Sequence, residues 1–242
     1  MAYPAEMRTL GVDLASQPTN TSVAILEGTR VVELRSTADD DTIVELATTC
    51  DATGIDAPLG WPDAFVDVVT AHHRGDPTPP ADPRALQLRR TDVVVHERTG
   101  KRPLSVSTDR IGVVALRAIR LLERLAGPGA DRSGGAGIYE TYPGGAIATW
   151  ALVDRSYKRV DSLPERTVIV DALAEHLQLG PHRDQMIAND DDLDAVLCAA
   201  LAALAHRGRT TAPTPDEDPI ARREGWIHVP SGPLGDLAHL VG

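Results

Sequence analysis

Apolar and polar positions alternate with period two in three short stretches near the start of the chain, RTLGVDLA, TSVAILE and RVVELRS. Such alternation predicts strands, and the last two stretches, joined only across Gly28 and Thr29, predict a hairpin. From Asp41 to Cys50 the spacing becomes helical, with Ile43, Leu46 and Ala47 on one face, and TGIDAPLGWP then reads as a strand running into a Pro-punctuated loop. Periodicity fades between residues 63 and 108, where a short helical piece from Ala64 to His72 precedes GDPTPPADPR and LQLRRTDVVVHERTGKRPLS. This segment is expected to form a lid-like insertion over one sheet edge.

The clearest helix runs from Asp109 to Ala126, with Ile111, Val114, Ala118, Leu121, Leu122 and Leu125 as its apolar stripe and Ser107 or Thr108 as its cap. After the connector GPGADRSGGAG, the stretch GIYETYP reads as a strand stopped by Pro143, and AIATWAL as a short helix. Helices are expected over Glu165 to Leu177 and Asp190 to His206, and EGWIHVP closes the chain with a short strand. Three antiparallel strands followed by helix, strand, helix, strand and helix is the element order of an α/β ribonuclease H-like three-layer fold. In that fold a mixed sheet, antiparallel then parallel, carries helices on both faces. The expectation is one domain over residues 1–242.

Four acidic residues sit where this pattern makes them conspicuous. Asp13 lies in the apolar strand LGVDLA, on the face shared by Gly11 and Ala15, and Asp56 repeats the situation in GIDAPLGWP. A desolvated carboxylate needs a hydrogen-bond partner or a cation; for Asp13 alone, an Asx turn at the strand end would serve equally well. Glu140, in GIYETYP, shares a face with Ile138 and Tyr142; a surface edge strand would also tolerate it. In NDDDLDAVLCAALAAL the macrodipole accounts for Asp190, Asp191 and Asp192 in the first turn, with Asn189 as cap. It does not account for Asp194, which points with the small apolar face of the helix towards the sheet. Four carboxylates converging from two strand ends, a third strand and a helix would repel one another without a cation. Oxygen ligands without a His/Cys cluster point to Mg²⁺ or Mn²⁺ rather than zinc.

Composition narrows the classes of function. A net charge of −11 argues against coating nucleic acid non-specifically, and one Phe, four Tyr and three Trp leave few aromatic rings for bases to stack upon. Cys50 and Cys198 belong to no C-x-x-C cluster and are expected to be reduced. The opening MAYPAEMRTL lacks a signal-peptide pattern and no run of about eighteen apolar residues occurs, so a cytoplasmic protein without a membrane partner is expected.

The ordered segments GVDLA, GIDAPLGWP, LRRTDVVVHERTGKRPLSVSTDRIG, YETYP, DDDLDAVLCA and EGWIHVP resemble the family catalogued as domain of unknown function 429, predicted nucleases of ribonuclease H-like fold. The resemblance covers nearly the whole chain. It implies Asp13 on the first strand, Asp56 on the fourth, Glu140 on the fifth and Asp194 on the C-terminal helix as catalytic, metal-binding acids. Asp191 joins them as an extra ligand, since aspartates three apart on that helix also resemble those of Holliday-junction resolvases. The first helix, IVELATTC, offers only Glu45, so a second ribonuclease H acid must come from elsewhere.

The segment from Arg84 to Arg102 is basic; Arg89 and Asp92 in RRTD and Arg98 in ERTG are the candidate substrate contacts, a structural ion-pair network being the equal alternative. Arg110, Arg117 and Arg124, seven apart, read as a solvated helix face. The leading expectation is a metal-dependent phosphodiesterase, a nuclease acting on nucleic acid or a nucleotide. The alternatives are a non-catalytic scaffold that keeps the fold, and an ATP-binding relative of actin, against which the length of the chain argues.

Overall fold

The computed structural model describes residues 6–104, 111–153 and 156–240. One six-stranded sheet runs in the order β3-β2-β1-β4-β5-β6. Its strands are β1 (Arg8–Asp13), β2 (Ser22–Glu27), β3 (Arg30–Arg35), β4 (Ala52–Asp56), β5 (Ile138–Thr141) and β6 (Ile227–His228). β1, β2 and β3 pair antiparallel, while β1, β4, β5 and β6 pair parallel. The predicted hairpin turn is present, with Gly28 at φ 57°, a left-handed conformation that costs glycine nothing.

Helices cover both faces. On one lie α1 (Asp40–Ala47), begun by the Asp39 carboxylate accepting from Thr42 N–H at 2.9 Å, and α4 (Val113–Ala126). They enclose Leu10, Val12, Val23, Ile25 and Ile55 with Ile43, Val114, Ala118 and Leu121. The opposite face carries α5 (Pro143–Thr149), α6 (Leu163–Ala174), α7 (Arg183–Ala188) and α8 (Asp190–His206), which bury Ala24, Leu26, Ile147, Ile169, Leu173 and Met186. The molecule is therefore a three-layer α/β structure whose antiparallel-then-parallel sheet is consistent with the ribonuclease H-like fold.

The expected insertion holds more order than its sequence announces. It contains α2 (Asp63–Arg74) and α3 (Arg90–Thr99), and α3 places Val95 against Ile227 and Val229 beside the edge strand β6. A further helix, α9 (Asp218–Glu224), precedes β6. The Glu224 carboxylate accepts both Asp63 N–H and Arg90 N–H at 2.8 Å, so one side chain serves the first turns of α2 and α3.

One expectation about α4 changes, and another is left open. Its proposed start at Asp109, its caps Ser107 and Thr108, and Arg110 lie outside the described residues; the α-helix begins at Val113. Arg117 is not solvated: its guanidinium donates to Asp40 Oδ1 at 2.7 Å, Ala15 O at 2.7 Å and Thr21 Oγ1 at 2.6 Å, tying α4 to α1 and to the end of β1. Arg124 stays near the surface, paired with Asp41.

α8 is buried on nearly every side, which its Ala-rich composition permits. It approaches the sheet closely because β1 and β4 present glycines to it. A Cβ on Gly11 would lie 2.0 Å from the Ala195 carbonyl oxygen, and one on Gly54 2.3 Å from that of Cys198. Thr9 Oγ1 closes the contact by donating to Ala199 O at 2.9 Å. This close approach brings the first turns of α8 up to the carboxyl ends of β1 and β4.

Candidate metal centre

β1 and β4 both end in aspartate, and their parallel register sets Asp13 directly beside Asp56. Each lies two residues after a glycine that faces α8, so period-two alternation turns both carboxylates towards that helix. Asn189 begins α8 by accepting Asp191 N–H at 3.1 Å, and one turn further Asp194 projects back at the strand ends. Asp13, Asp56 and Asp194 each offer an oxygen, and the three oxygens lie within 4.8 Å of one another. Asp194 is fully buried, and the other two are partly so.

Such a group is electrostatically costly. Burial, followed by the charges of Asp194 and Asp56, holds the Asp13 carboxyl well above the ordinary carboxylate range. Burial also pushes Asp56 up to about 7, with Lys158 opposing the rise and Asp194 and Glu140 adding to it. Asp194 is raised by burial against the pull of Lys158. Asp191, half-buried at the rim, is raised by burial and by Asp190, and interacts with Asp13.

Lys158 supplies the cationic group that the sequence pattern did not reveal. Its Nζ stands 2.5 Å from Asp194 Oδ2, while the Tyr157 hydroxyl donates to Asp194 Oδ1 at 2.8 Å. Burial works against the ammonium, but the attraction of Asp194, Asp56 and Asp13 outweighs it and raises its pKa. Asp13, Asp56, Lys158, Tyr142, Arg102 and Glu140 are among the residues lining a cavity of about 430 Å³ above the strand ends. The donor set suits a hard divalent cation: oxygen ligands only, with an ammonium standing where positive charge belongs.

Glu140 is not brought into this group. Its register partner on β4 is Ile55, not Asp56, so it leaves the sheet on the face opposite Asp13 and Asp56. Continuing that register by one residue puts Thr141, not Glu140, level with Asp56. Glu140 borders the cavity with both oxygens engaged: Oε1 accepts from Arg89 NH2 at 2.6 Å, and Oε2 from Arg89 NH1 at 2.7 Å and from Leu59 N–H at 2.9 Å.

Arg89 and Asp92, candidate substrate contacts from the sequence, are instead buried at 1% and 0% exposure. The Arg89 fork grips Asp92 as well as Glu140, through Nε at 3.2 Å and NH2 at 3.0 Å, and NH1 also donates to Glu224 O at 3.2 Å. A guanidinium whose donors are spent in this way has nothing left for a substrate phosphate. The ion-pair network, the alternative left open by the sequence, is what these residues form. Arg98 is exposed in the last turn of α3 and does not line the cavity, whereas Arg102 does.

Asp192 also proves to be more than a first-turn charge. It is fully buried, accepting from Ser22 Oγ at 2.7 Å, Ser36 Oγ at 2.9 Å and Gln185 Nε2 at 3.0 Å, and so pins α8 to β2 and to the end of β3.

A family model described as protein of unknown function (DUF429) matches residues 11–218. The chain belongs to the DUF429 family. The match runs from Gly11, within β1, to the first residue of α9, and so takes in every member of the DUF429 chain's carboxylate group and Lys158. Neither a curated protein nor a solved structure matches it. Among the described residues no helix is long and apolar enough to cross a membrane.

Proposed function

We propose that this chain is a divalent-metal-dependent phosphodiesterase acting on nucleic acid or a nucleotide. One observation carries the reading: carboxylate oxygens from β1, β4 and α8 lie within 4.8 Å of one another, and two of the three residues, Asp13 and Asp56, line a cavity. Asp13, Asp56 and Asp194 would hold Mg²⁺ or Mn²⁺, with Asp191 at the rim as a further oxygen donor. When bound, such an ion polarises a phosphoryl oxygen and lowers the pKa of a coordinated water. The protein's own part is positional. Tyr157 orients the Asp194 carboxylate, Asn189 sets the start of α8, and the Gly11 and Gly54 contacts fix the distance of that helix from the strand ends. Burial makes the charges of the acids costly, a cost that a bound cation would relieve. Arg89 acts from behind, holding Glu140 and the Leu59 turn in place beneath the cavity.

The ion pair of Lys158 with Asp194 favours a second reading, in which the ammonium is a permanent counter-ion and the protein a non-catalytic scaffold. Hydrolysis of bis(p-nitrophenyl) phosphate separates the two. Manganese-dependent turnover that disappears in a folded Asp13→Asn variant supports the phosphodiesterase. Absence of turnover on this substrate and on single-stranded oligonucleotides of both sugars supports the scaffold.

A further inference from the structure

Lys158 is built differently from the carboxylate it neutralises. Asp194 is completely enclosed, whereas 46% of the Lys158 side chain is exposed. The lysine thus reaches in from the cavity side with a half-exposed stem, its ammonium set beside the acids. Its backbone is held on both sides. Arg166, 2% exposed, donates to Tyr157 O at 2.7 Å and Arg159 O at 2.9 Å, and is itself anchored on Ile187 O at 2.6 Å. Ser162 Oγ further fastens the loop to Ser156 O at 2.7 Å. A fixed backbone carrying a flexible, four-carbon, half-exposed side chain lets the ammonium change partners without moving the loop.

The ammonium is paired with a carboxylate that belongs to the candidate cation site. An ammonium 2.5 Å from Asp194 Oδ2 and an ion coordinated by that group would be two cations in contact, and the ion carries twice the charge. The freed ammonium would remain on the cavity wall, which it shares with Arg102 and Tyr142.

We propose that Lys158 is a two-position residue, paired with Asp194 in the metal-free protein and displaced by the divalent cation into the cavity, where it binds the phosphate of the substrate. The proposal rests on the metal-centre reading above and assigns the second cationic contact of the phosphoester to this side chain. It also explains how the acid cluster is tolerated before metal arrives.

The test is a pair of titrations on wild type and Lys158→Met, an uncharged variant of similar length, with folding checked by circular dichroism. Mn²⁺ affinity should rise about tenfold in the variant, because the competitor is gone. Affinity for inorganic phosphate at saturating Mg²⁺ should fall about tenfold, the worth of one charge-assisted hydrogen bond. Opposite signs for the two ligands are the signature, since a merely structural lysine would move both in the same direction or neither. Equal Mn²⁺ binding by both proteins overturns the lysine proposal while leaving the metal centre standing; no Mn²⁺ binding by either overturns both.

Should the variant not fold, the wild type supplies the answer. Lysine occurs in the chain only at positions 101 and 158. Acetylation of Lys158 by acetic anhydride, followed by mass spectrometry with Lys101 as reference, should be slow in chelator and about tenfold faster with Mg²⁺, the competing salt bridge having gone. A rate that Mg²⁺ leaves unchanged overturns the displacement.

Discussion

Replacing Asp56 with asparagine should stabilise the metal-free protein at and above neutral pH, the reverse of the usual result of altering a buried charged residue. In the folded protein burial and the neighbouring acids lift this carboxyl from 3.8 to about 7, against the pull of Lys158. A rise of about three units corresponds to roughly 4 kcal/mol disfavouring the charged form. The sign follows from linkage. A raised carboxyl favours folding where it is protonated in both states, below about pH 4, and that contribution is lost as pH rises through about 7. Asparagine keeps the shape of the protonated form, and the roughly 4 kcal/mol already includes the opposing attraction of Lys158; desolvation of the amide takes back part of it, so a net gain of about 1–2 kcal/mol is expected. For a chain of this size that is about 2–8 °C in Tm. Thermal unfolding followed by circular dichroism in chelator, for wild type and Asp56→Asn side by side, cancels the titration of groups remote from the cluster and leaves that of Asp56 and the acids and lysine around it. The difference should be small below about pH 4, reach roughly a third of its full value near pH 5 and be complete near pH 8. A variant less stable than wild type near pH 8, or a difference that ignores pH, would refute the picture of crowded, desolvated acids.

Three further outcomes follow from the packing. Gly11→Ala should cost about 3 kcal/mol, because its Cβ would meet the Ala195 carbonyl at 2.0 Å and α8 would have to lift; chemical denaturation checks this, and a neutral result would contradict the close approach. Arg89→Met should cost about 3–5 kcal/mol by stranding Glu140 and Asp92, and adding Glu140→Gln should restore part of the loss, a non-additivity read from a double-mutant cycle. His228, its ring nitrogens on Thr210 Oγ1 and Ser133 O, is pushed by burial down to about 4. Its contribution is complete above about pH 6.5 and falls as pH drops towards 4, a loss of roughly 3 kcal/mol that His228→Gln should flatten in a stability–pH profile.

The parts of the site legible in the sequence were those that local periodicity reports. Asp13 and Asp56 interrupt apolar strands, and Asp194 lies inward on a helix begun by Asn189; each can be placed from its own few neighbours. What escaped depends on relations between distant segments. The face of Glu140 follows from the pairing of Ile55 with Glu140, which the four residues of β5 do not encode by themselves. Arg89 reads as a surface base until its partners, 51 residues away at Glu140 and 135 away at Glu224, are assembled around it. Helix α3 was hidden because its N-cap is an arginine, which has no acceptor for a helix N–H; only Asp92 caps, accepting Arg89 N–H at 2.7 Å, and the helix interior is a valine run of strand-like character. Lys158 sits in a loop with no periodic pattern, carried to the acids by the buried Tyr157 and Arg166. The two glycines that set the helix-to-sheet distance could have been noticed, since each stands two residues before a strand-end aspartate.

The central claim is that Asp13, Asp56 and Asp194 form a cation site. Calorimetric titration of Mn²⁺ into wild type and into an Asp13→Asn, Asp194→Asn double variant, shown to be folded, tests it most directly. Binding by the wild type and none by the double variant is the result this account predicts. A wild type that takes up no Mn²⁺, or a double variant that binds it equally well, would contradict it.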